Sequence, residues 1–484
     1  MVLVVIGLAQ LMVVLDLTIV NVALPSAQRA LHFSTDARQW VVTAYALAFG
    51  SLLLLGGRLG DLWGRKWTFV GGLVGFSIAS AIGGAATSFT MLVAARAVQG
   101  VFAALLAPSA LGLLTTIFTD PAERGKAFGV FGAIAGGGSA LGLLLGGALT
   151  QAVSWRLCMF VNLAIALPAI AGALRLIVNQ PPQLKPRIDL PGTAVASAGL
   201  FALVYGFSNA ELHAWSAPLT IVLLAVAGLL LSGFVLLESR VASPLLPLRV
   251  VSDRARGGAY LALLIGGGAI FSVFLFLTYF LQRTRGMDPV QTGLAFLPLT
   301  VGVVLSSTVS NIRLVGRFGP RPVMAGGMMI CAGALVWLAQ LTPSSGYFAH
   351  VLPALVVLGV GYGATNAPAF FTATARVRRH DAGIASAMAN TSQQVGGAIG
   401  AAALSTIFAS GVRSDARLHS LPVATVHGYS TAFWVAAAAF VSGSLIVAAL
   451  IPRRRALGAA PDPSGPGRRP IATHVGSDRV PSAS

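Results

Sequence analysis

The sequence predicts an all-α integral membrane protein with fourteen transmembrane helices. Apolar residues make up 56% of the 484-residue chain and the mean hydropathy is +0.82, too apolar for a soluble globule. They form repeated runs of bilayer-spanning length, and the charged residues, only 10% of the chain, gather between these runs. Backbone polar groups in lipid must be satisfied within the segment, so each run is predicted to be a helix.

Fourteen runs are bounded by charges, by Gly and Pro, or by polar clusters. Pro25 is expected to close the first of them. The predicted spans are 3–24, 39–57, 67–87, 91–116, 127–150, 157–177, 191–209, 218–237, 258–281, 292–311, 323–341, 350–374, 384–408 and 429–451.

Lys and Arg are distributed unevenly between the two sets of loops. With both termini in the cytoplasm, 24 of the 32 cations fall on the cytoplasmic side, seven fall outside, and Arg96 lies within a span. Cytoplasmic loops are enriched in Lys and Arg, so the count favours cytoplasmic N and C termini. The net charge of +18 is spread through short loops and a basic tail. It indicates the lipid bilayer as partner and not a nucleic acid.

Internal repeats suggest the domain organisation. Residues 317–321, between spans ten and eleven, match residues 62–66, between spans two and three. Pro108 of span four corresponds to Pro368 of span twelve, and glycines recur in spans five and thirteen. Paired six-helix bundles are the pattern these repeats indicate. The predicted units are an N-terminal bundle (1–177), two inserted helices (191–237), a C-terminal bundle (258–451) and a disordered basic cytoplasmic tail (452–484).

The segment 57–66 reads GRLGDLWGRK and is the most informative stretch of the chain. It is predicted to be a short charged loop at the cytoplasmic surface, between two apolar runs. It resembles the GxLxDxxGRK loop between the second and third spans of major facilitator transporters, which caps the cytoplasmic side and moves during transport. The resemblance implies a gating role for Gly57, Asp61, Gly64, Arg65 and Lys66.

Asp61 is the acid of this segment. It can accept hydrogen bonds from free N–H groups at a neighbouring helix N-terminus, or pair with Arg124 or Lys126. Gly316 holds the matching place in the second repeat, so the contact is expected to be one-sided and to hold the cytoplasmic side shut. The alternative is a solvated surface acid, whose ion pairs contribute about 0–1 kcal/mol.

Two charges lie within spans and clear of the last helical turn, Asp16 and Arg96. A central charge costs about 2.5–3.5 kcal/mol on insertion scales, so each should face a cavity or a partner. Asp16 is the only carboxylate well inside a span, and a desolvated carboxylate can take up a proton. We therefore predict that Asp16 couples transport to protons. The alternative is a water-facing residue near the outer mouth. Arg96 could support coupling or donate hydrogen bonds to neighbouring carbonyls.

Four further stretches resemble the fourteen-span drug:proton antiporters of the major facilitator superfamily, and the likeness covers residues 1–452. They are residues 15–25 in span one, 96–100 in span four, Trp155-Arg156 with Asn162 in span six, and 390–397 in span thirteen. The resemblance implicates Arg96 in proton coupling.

The family's fifth-span antiporter motif, GxxxGPxxGG, departs from its usual form here. Leu143 replaces the proline, so any kink must come from glycine alone. The alternative is that these glycines only allow close helix packing. The glycines of the motif are Gly138, Gly142, Gly146 and Gly147.

A substrate cavity should be apolar and aromatic with a few polar groups. The polar candidates are Asn21, Tyr45, Gln99, Asn366, Asn390 and Gln394, and further aromatic candidates are Phe49, Phe271, Phe274 and Tyr279. Most aromatics in spans simply pack, which is the alternative for this set. Spans ten to thirteen hold no acid, so neutral or singly charged amphiphiles fit better than dications. No spacing of Cys, His, Ser or acids indicates a metal, a cofactor or an enzyme.

The expected function is proton-coupled export of small amphiphilic drugs or antibiotics across the bacterial plasma membrane, by alternating access and as a monomer. A dedicated exporter of one endogenous metabolite would use the same scaffold. A membrane sensor that does not transport is disfavoured by Asp16, Arg96 and the intact segment 57–66.

Overall fold

The computed structural model describes residues 1–34, 37–178, 189–213, 215–241, 245–375, 377, 381–415 and 420–452. In these ranges, fourteen helices are long and apolar enough to cross a membrane. They are α1 (Val2–Leu31), α2 (Arg38–Trp63), α3 (Arg65–Gly84), α4 (Phe89–Ile117), α5 (Pro121–Ala152), α6 (Leu157–Leu176), α7 (Leu190–Leu212), α8 (Pro218–Glu238), α9 (Arg254–Thr284), α10 (Val290–Phe318), α11 (Pro320–Leu338), α12 (Tyr347–Ala373), α13 (Ala382–Asp415) and α14 (Leu421–Leu450).

The fourteen predicted spans are confirmed, but several helices run well past the predicted ends. The 34 residues of α13 extend over about 51 Å at 1.5 Å per residue, against a hydrocarbon core of about 30 Å. Hydropathy marks only the part of a helix that lies in lipid. The predicted tail from residue 453 onward lies outside the described residues.

Pro25 does not close α1, so that prediction was wrong. The helix continues to Leu31 and ends at His32, which has a left-handed conformation with φ 54°. Proline lacks an N–H, so only the backbone hydrogen bond to the carbonyl of Asn21 is lost. A single missing bond bends or weakens a long helix without ending it.

The segment 57–66 is not a loop, which corrects a second prediction. Residues 57–63 are the last two turns of α2, and Arg65 already begins α3. Gly64 alone separates the two helices, with a φ of 93° that glycine adopts without steric cost. Gly319, with φ 85°, separates α10 from α11 in the same way, as the match between 62–66 and 317–321 implies.

The helices pack in two groups, α1–α6 and α9–α14, which meet where α5 contacts α10 and where α2 contacts α13. The inserted helix α7 lies against both α2 and α13, and Trp215 just beyond it donates to Thr406 of α13 at 2.6 Å. Helix α8 is peripheral: it packs on α7 and leaves Leu229 74% exposed. Such an apolar outer face fits contact with lipid.

Glycines allow close helix contacts in both groups. In α5, a Cβ on Gly146 would lie 3.0 Å from Ile19 of α1, and one on Gly142 would overlap Thr18. In α13, Gly396 and Gly400 lie against the α9 backbone at Leu264 and Gly268. The antiporter-motif glycines therefore serve close packing. Gly138 faces Val14 of α1, whereas Gly147 faces Val290 of α10, each at 3.0 Å from a built Cβ.

Candidate functional site

Asp16 lies at the centre of a buried polar cluster. Its side chain is fully buried, and its Oδ2 atom accepts from Nη1 of Arg96 at 2.5 Å. Its Oδ1 atom accepts from the amides of Gln99, at 3.2 Å, and Asn162, at 2.8 Å. Helices α1, α4 and α6 thus supply one connected site, and the prediction that Asp16 and Arg96 each need a partner is met by their pairing.

Arg96 is almost completely buried, at 1% exposed. Besides Asp16, it donates from Nη1 to Oε1 of Gln99 at 2.9 Å and from Nε to the carbonyl of Val41 at 3.2 Å. Its guanidinium lies 4.4 Å from the ring centre of Tyr45, which adds a cation–π contact. Arg96 therefore donates to a carbonyl, which is one of the two roles considered for it, and it also pairs with Asp16.

The cluster extends to α3 through Ser80. Asn162 donates to the Ser80 hydroxyl at 2.9 Å, and that hydroxyl donates to the carbonyl of Met159 at 2.7 Å. This second layer orients the amide that faces Asp16. Among the side chains that the structure describes, those of α5 supply none of these polar partners. Gly142 of α5 nevertheless packs beside Leu15 and Thr18, on the α1 turn that carries Asp16.

The burial and charge of this site constrain its chemistry. Asp16 is 0% exposed, which contradicts the alternative of a water-facing residue near the outer mouth. A buried ion pair is held only while both partners remain, because removing one leaves an uncompensated charge that costs about 3–5 kcal/mol. Asp16 and Arg96 therefore stabilise each other's charge inside the N-terminal group.

Asp61 makes the contact expected of it at the other end of the molecule. Its Oδ1 atom accepts from the backbone N–H of Gly383, in the first turn of α13, at 3.2 Å, and from Nη2 of Arg65 at 2.8 Å. Its side chain is 4% exposed, so it is not a solvated surface acid. Arg124 and Lys126 are not its partners: Arg124 donates instead to the carbonyl of Thr374 at 3.5 Å, and Lys126 is exposed.

The other residues of this segment have separate structural tasks. A Cβ on Gly57 would lie 2.7 Å from Ala387 of α13, so glycine lets α2 approach α13 closely. Arg65 also donates to the carbonyl of Gly112 in α4, and Lys66 to that of Leu174 in α6. The segment thus joins α2 to α13, which belong to different helical groups. It also connects α3 to α4 and α6 within the N-terminal group.

Aromatic pairs between α5 and α12 also join the two helical groups. Phe128 meets Phe371 edge to face with ring centres 5.7 Å apart, and Phe131 meets Phe370 at 6.2 Å. The guanidinium of Arg124 lies over the Phe371 ring at 4.9 Å. The two helical groups are therefore in contact at the predicted cytoplasmic side.

The predicted cavity residues fall into different environments. Tyr45 and Gln99 belong to the Asp16 cluster, and Asn21 is exposed and bonds the carbonyl of Leu17 on its own helix. In α13, Asn390 bonds the carbonyl of Ser386, and Gln394 is half-buried.

Among the aromatic candidates, Phe49 is buried and Phe274 packs on Phe296 at 4.7 Å. Phe271 and Tyr279 are 47% and 40% exposed. These positions follow from helix rotation, which the sequence pattern left open.

Asn366 belongs to a polar group of which Asn366 alone was predicted from the sequence. It donates to the hydroxyl of Tyr362 at 2.7 Å, and Gln393 donates to the same hydroxyl at 3.2 Å. The spacing of four residues between Tyr362 and Asn366 could have revealed the first contact. No sequence signal connects Gln393, or Asn162 in the other group, to its partner.

Two packed groups of helices, a buried ion pair in one of them and a contact that joins them at one face define a membrane transporter. Residues 6–401 match the Major Facilitator Superfamily, and the chain belongs to this family. The family and the fourteen-span class predicted from the motifs are confirmed.

Two relatives and one solved structure illustrate the similarity. The puromycin resistance protein pur8 of Streptomyces alboniger is 47% identical and covers 93% of this chain and 90% of its own length. The cephamycin export protein CmcT of Amycolatopsis lactamdurans is 38% identical, with coverage of 92% and 90%. The crystal structure of the human organic anion transporter MFSD10 (TETRAN) matches with a TM-score of 0.63, covering 92% of this chain and 98% of that one. Its 13% identity extends the likeness to the fold alone.

The relatives are bacterial, and the chain is a multi-pass protein of the plasma membrane, as predicted.

Proposed function

We propose that this protein exports small amphiphilic antibiotics or drugs in exchange for protons, by alternating access. The observation that carries the proposal is the buried cluster of Asp16, Arg96, Gln99 and Asn162. A desolvated carboxylate in a membrane protein is costly and marks a proton or ion pathway. The names of the two relatives, a resistance protein and an export protein, support export as the direction.

Asp16 is the proton-binding group of this proposal. In its ionised form it is held by Arg96 and two amides. When it takes a proton, the attraction to Arg96 is lost, and Arg96 keeps Gln99 and the carbonyl of Val41. An amide carries both a donor and an acceptor, so Gln99 and Asn162 can serve either protonation state by rotation. Asn162 Oδ1, buried and without a partner in the described residues, can then accept from the protonated acid.

The cluster can transmit this change because its members lie on different helices. Asp16 is on α1, Arg96 on α4 and Asn162 on α6, so weakening the ion pair frees α1 to shift against its neighbours. The contact of Asp61 with Gly383 holds the cytoplasmic side closed until that shift occurs. Inward movement of each proton supplies about 2.3 kcal/mol per 100 mV of membrane potential.

Transport by proteoliposomes tests the proposal. Puromycin and a panel of lipophilic antibiotics are loaded, and export is followed with an imposed proton gradient, with and without a protonophore. We expect gradient-driven export by the wild type and none by Asp16→Asn at equal protein content. The matched control is Glu123→Gln, which removes an exposed acid of the predicted cytoplasmic face. Full protonophore-sensitive export by Asp16→Asn would overturn the coupling role.

A dedicated exporter of one metabolite is the second candidate. It is favoured by the relative named for export of a single antibiotic class, cephamycin. The same panel separates the two: one accepted compound indicates a dedicated exporter, and several unrelated compounds indicate multidrug export.

A further inference from the structure

We propose that Tyr362, Asn366 and Gln393 form a neutral hydrogen-bonding subsite in the C-terminal group, which binds an uncharged hydroxyl or amide of the exported compound. The inference rests on the export function proposed above and adds the chemical class of group that the protein recognises. Three observations support it: incomplete hydrogen bonding, the absence of charge, and the position of the residues.

The hydrogen bonding of this cluster is incomplete on one side. The hydroxyl oxygen of Tyr362 accepts from Nδ2 of Asn366 at 2.7 Å and from Nε2 of Gln393 at 3.2 Å. Within the described residues, the hydroxyl proton of Tyr362 has no recorded acceptor and Oδ1 of Asn366 has no partner. Asn366 is 5% and Tyr362 7% exposed. Buried polar atoms are nearly always paired, so an open donor beside an open acceptor points to a partner that the surrounding side chains do not supply.

The chemistry of such a ligand follows from the surrounding charges. The sequence places no Asp, Glu, Lys or Arg between residues 257 and 282, 348 and 373, or 382 and 412, which cover the interiors of α9, α12 and α13. A charged group there would be desolvated without compensation. A hydroxyl or an amide carries one donor and one acceptor, and it complements Tyr362 and Asn366 without a net charge. In the N-terminal group, Asp16 is already paired with Arg96, so this carboxylate is not free to bind a cation.

The cluster lies beside the interface (the seam) between the two helical groups. Ala367, next to Asn366, faces Gly132 of α5, where an added Cβ would lie 2.6 Å away. Gln393 is half-buried, so the cluster borders accessible space and is not sealed in a core. The interface between repeats is where transporters of this architecture bind substrates.

Binding to the purified full-length protein tests this inference. The probe is radiolabelled puromycin, a nucleoside with hydroxyl and amide groups, and the variants are Asn366→Leu and Tyr362→Phe. We expect each to raise the Kd for puromycin at least tenfold while Tm stays within a few degrees of wild type. The matched control is Tyr260→Phe. Tyr260 is a buried tyrosine of α9, in the same helical group, but unlike that of Tyr362 its hydroxyl has no partner in the described residues. It should change neither quantity.

The readouts separate a binding role from a structural one. If the cluster merely fastens α12 to α13, both variants lower Tm and leave Kd unchanged, and the subsite is overturned. It is also overturned if the wild type binds no puromycin. Because binding needs no proton gradient, loss of coupled export in proteoliposomes would refute the proposed function while leaving a tenfold change in Kd as support for the subsite.

Discussion

The carboxylate of Asp61 accepts a hydrogen bond from the backbone N–H of Gly383 across the seam between the two helical groups, at 3.2 Å. Gly383 is the second residue of α13, so its N–H is one of those left unpaired at a helix start. The helix dipole adds to the attraction for a negative charge there. A closing contact of this kind can be released without unfolding either helix.

Asp61→Asn is expected to weaken this closure. The variant keeps an oxygen acceptor but loses the charge that Arg65 and the α13 N-terminus both stabilise. A charge-assisted hydrogen bond contributes about 1.5–3 kcal/mol, so the ratio of closed to open cytoplasmic forms should fall roughly tenfold or more. Labelling of single cysteines at the cytoplasmic mouth should increase and export should slow. The exposed acid variant Glu123→Gln is the control, and unchanged labelling with unchanged export would contradict the gating role.

Gly57→Ala should act in the same direction by a steric route. Its Cβ would lie 2.7 Å from both the Ala387 side chain and the Gly383 carbonyl. Neither neighbour is a flexible side chain, so α2 and α13 must separate. We expect increased cysteine labelling, and less than additive effects when the change is combined with Asp61→Asn. Gly71→Ala in α3, where an added Cβ meets no atom within 4 Å, should behave as wild type. Additive effects would show that the two residues act on different contacts.

Arg96→Lys should abolish most transport although the charge is retained. The guanidinium reaches Asp16, Gln99 and the Val41 carbonyl from two nitrogens, whereas an ammonium offers one compact centre. Export should fall at least tenfold at normal membrane levels. Arg254→Lys, at the exposed start of α9, is the matched control. Wild-type transport by Arg96→Lys would show that only a positive charge is needed.

Gly142→Ala should disturb the Asp16 cluster without changing its polar residues. An added methyl overlaps Thr18 Oγ1 and lies 3.0 Å from the Leu15 carbonyl, on the turn that carries Asp16. Overpacking of this kind costs about 1–3 kcal/mol, and export should fall accordingly. Adding Thr18→Ala removes the worst overlap and should restore part of the activity. Export at the wild-type level by Gly142→Ala alone would rule out a link between this contact and Asp16.

The sequence by itself determined the number of spans, their helical form and the repeated pattern of the two groups. These features depend on local quantities: the hydropathy of about twenty consecutive residues and the need to satisfy the backbone in lipid. The same physics showed that Asp16 and Arg96 must each face a cavity or a partner, because an isolated charge in a span is costly. It did not locate the helix ends, and it mistook the last turns of α2 for a loop.

The tertiary structure alone decided which residues meet. Asp16 and Asn162 are 146 residues apart, and Asp61 and Gly383 are 322 apart, yet both pairs are in hydrogen-bond contact. A helix that is apolar nearly all round gives little indication of its own rotation, so Tyr45 and Gln99 were placed at a cavity although they surround Arg96. Partner choice depends on how close-packed glycine contacts orient neighbouring helices, and that is settled only when all the helices are assembled.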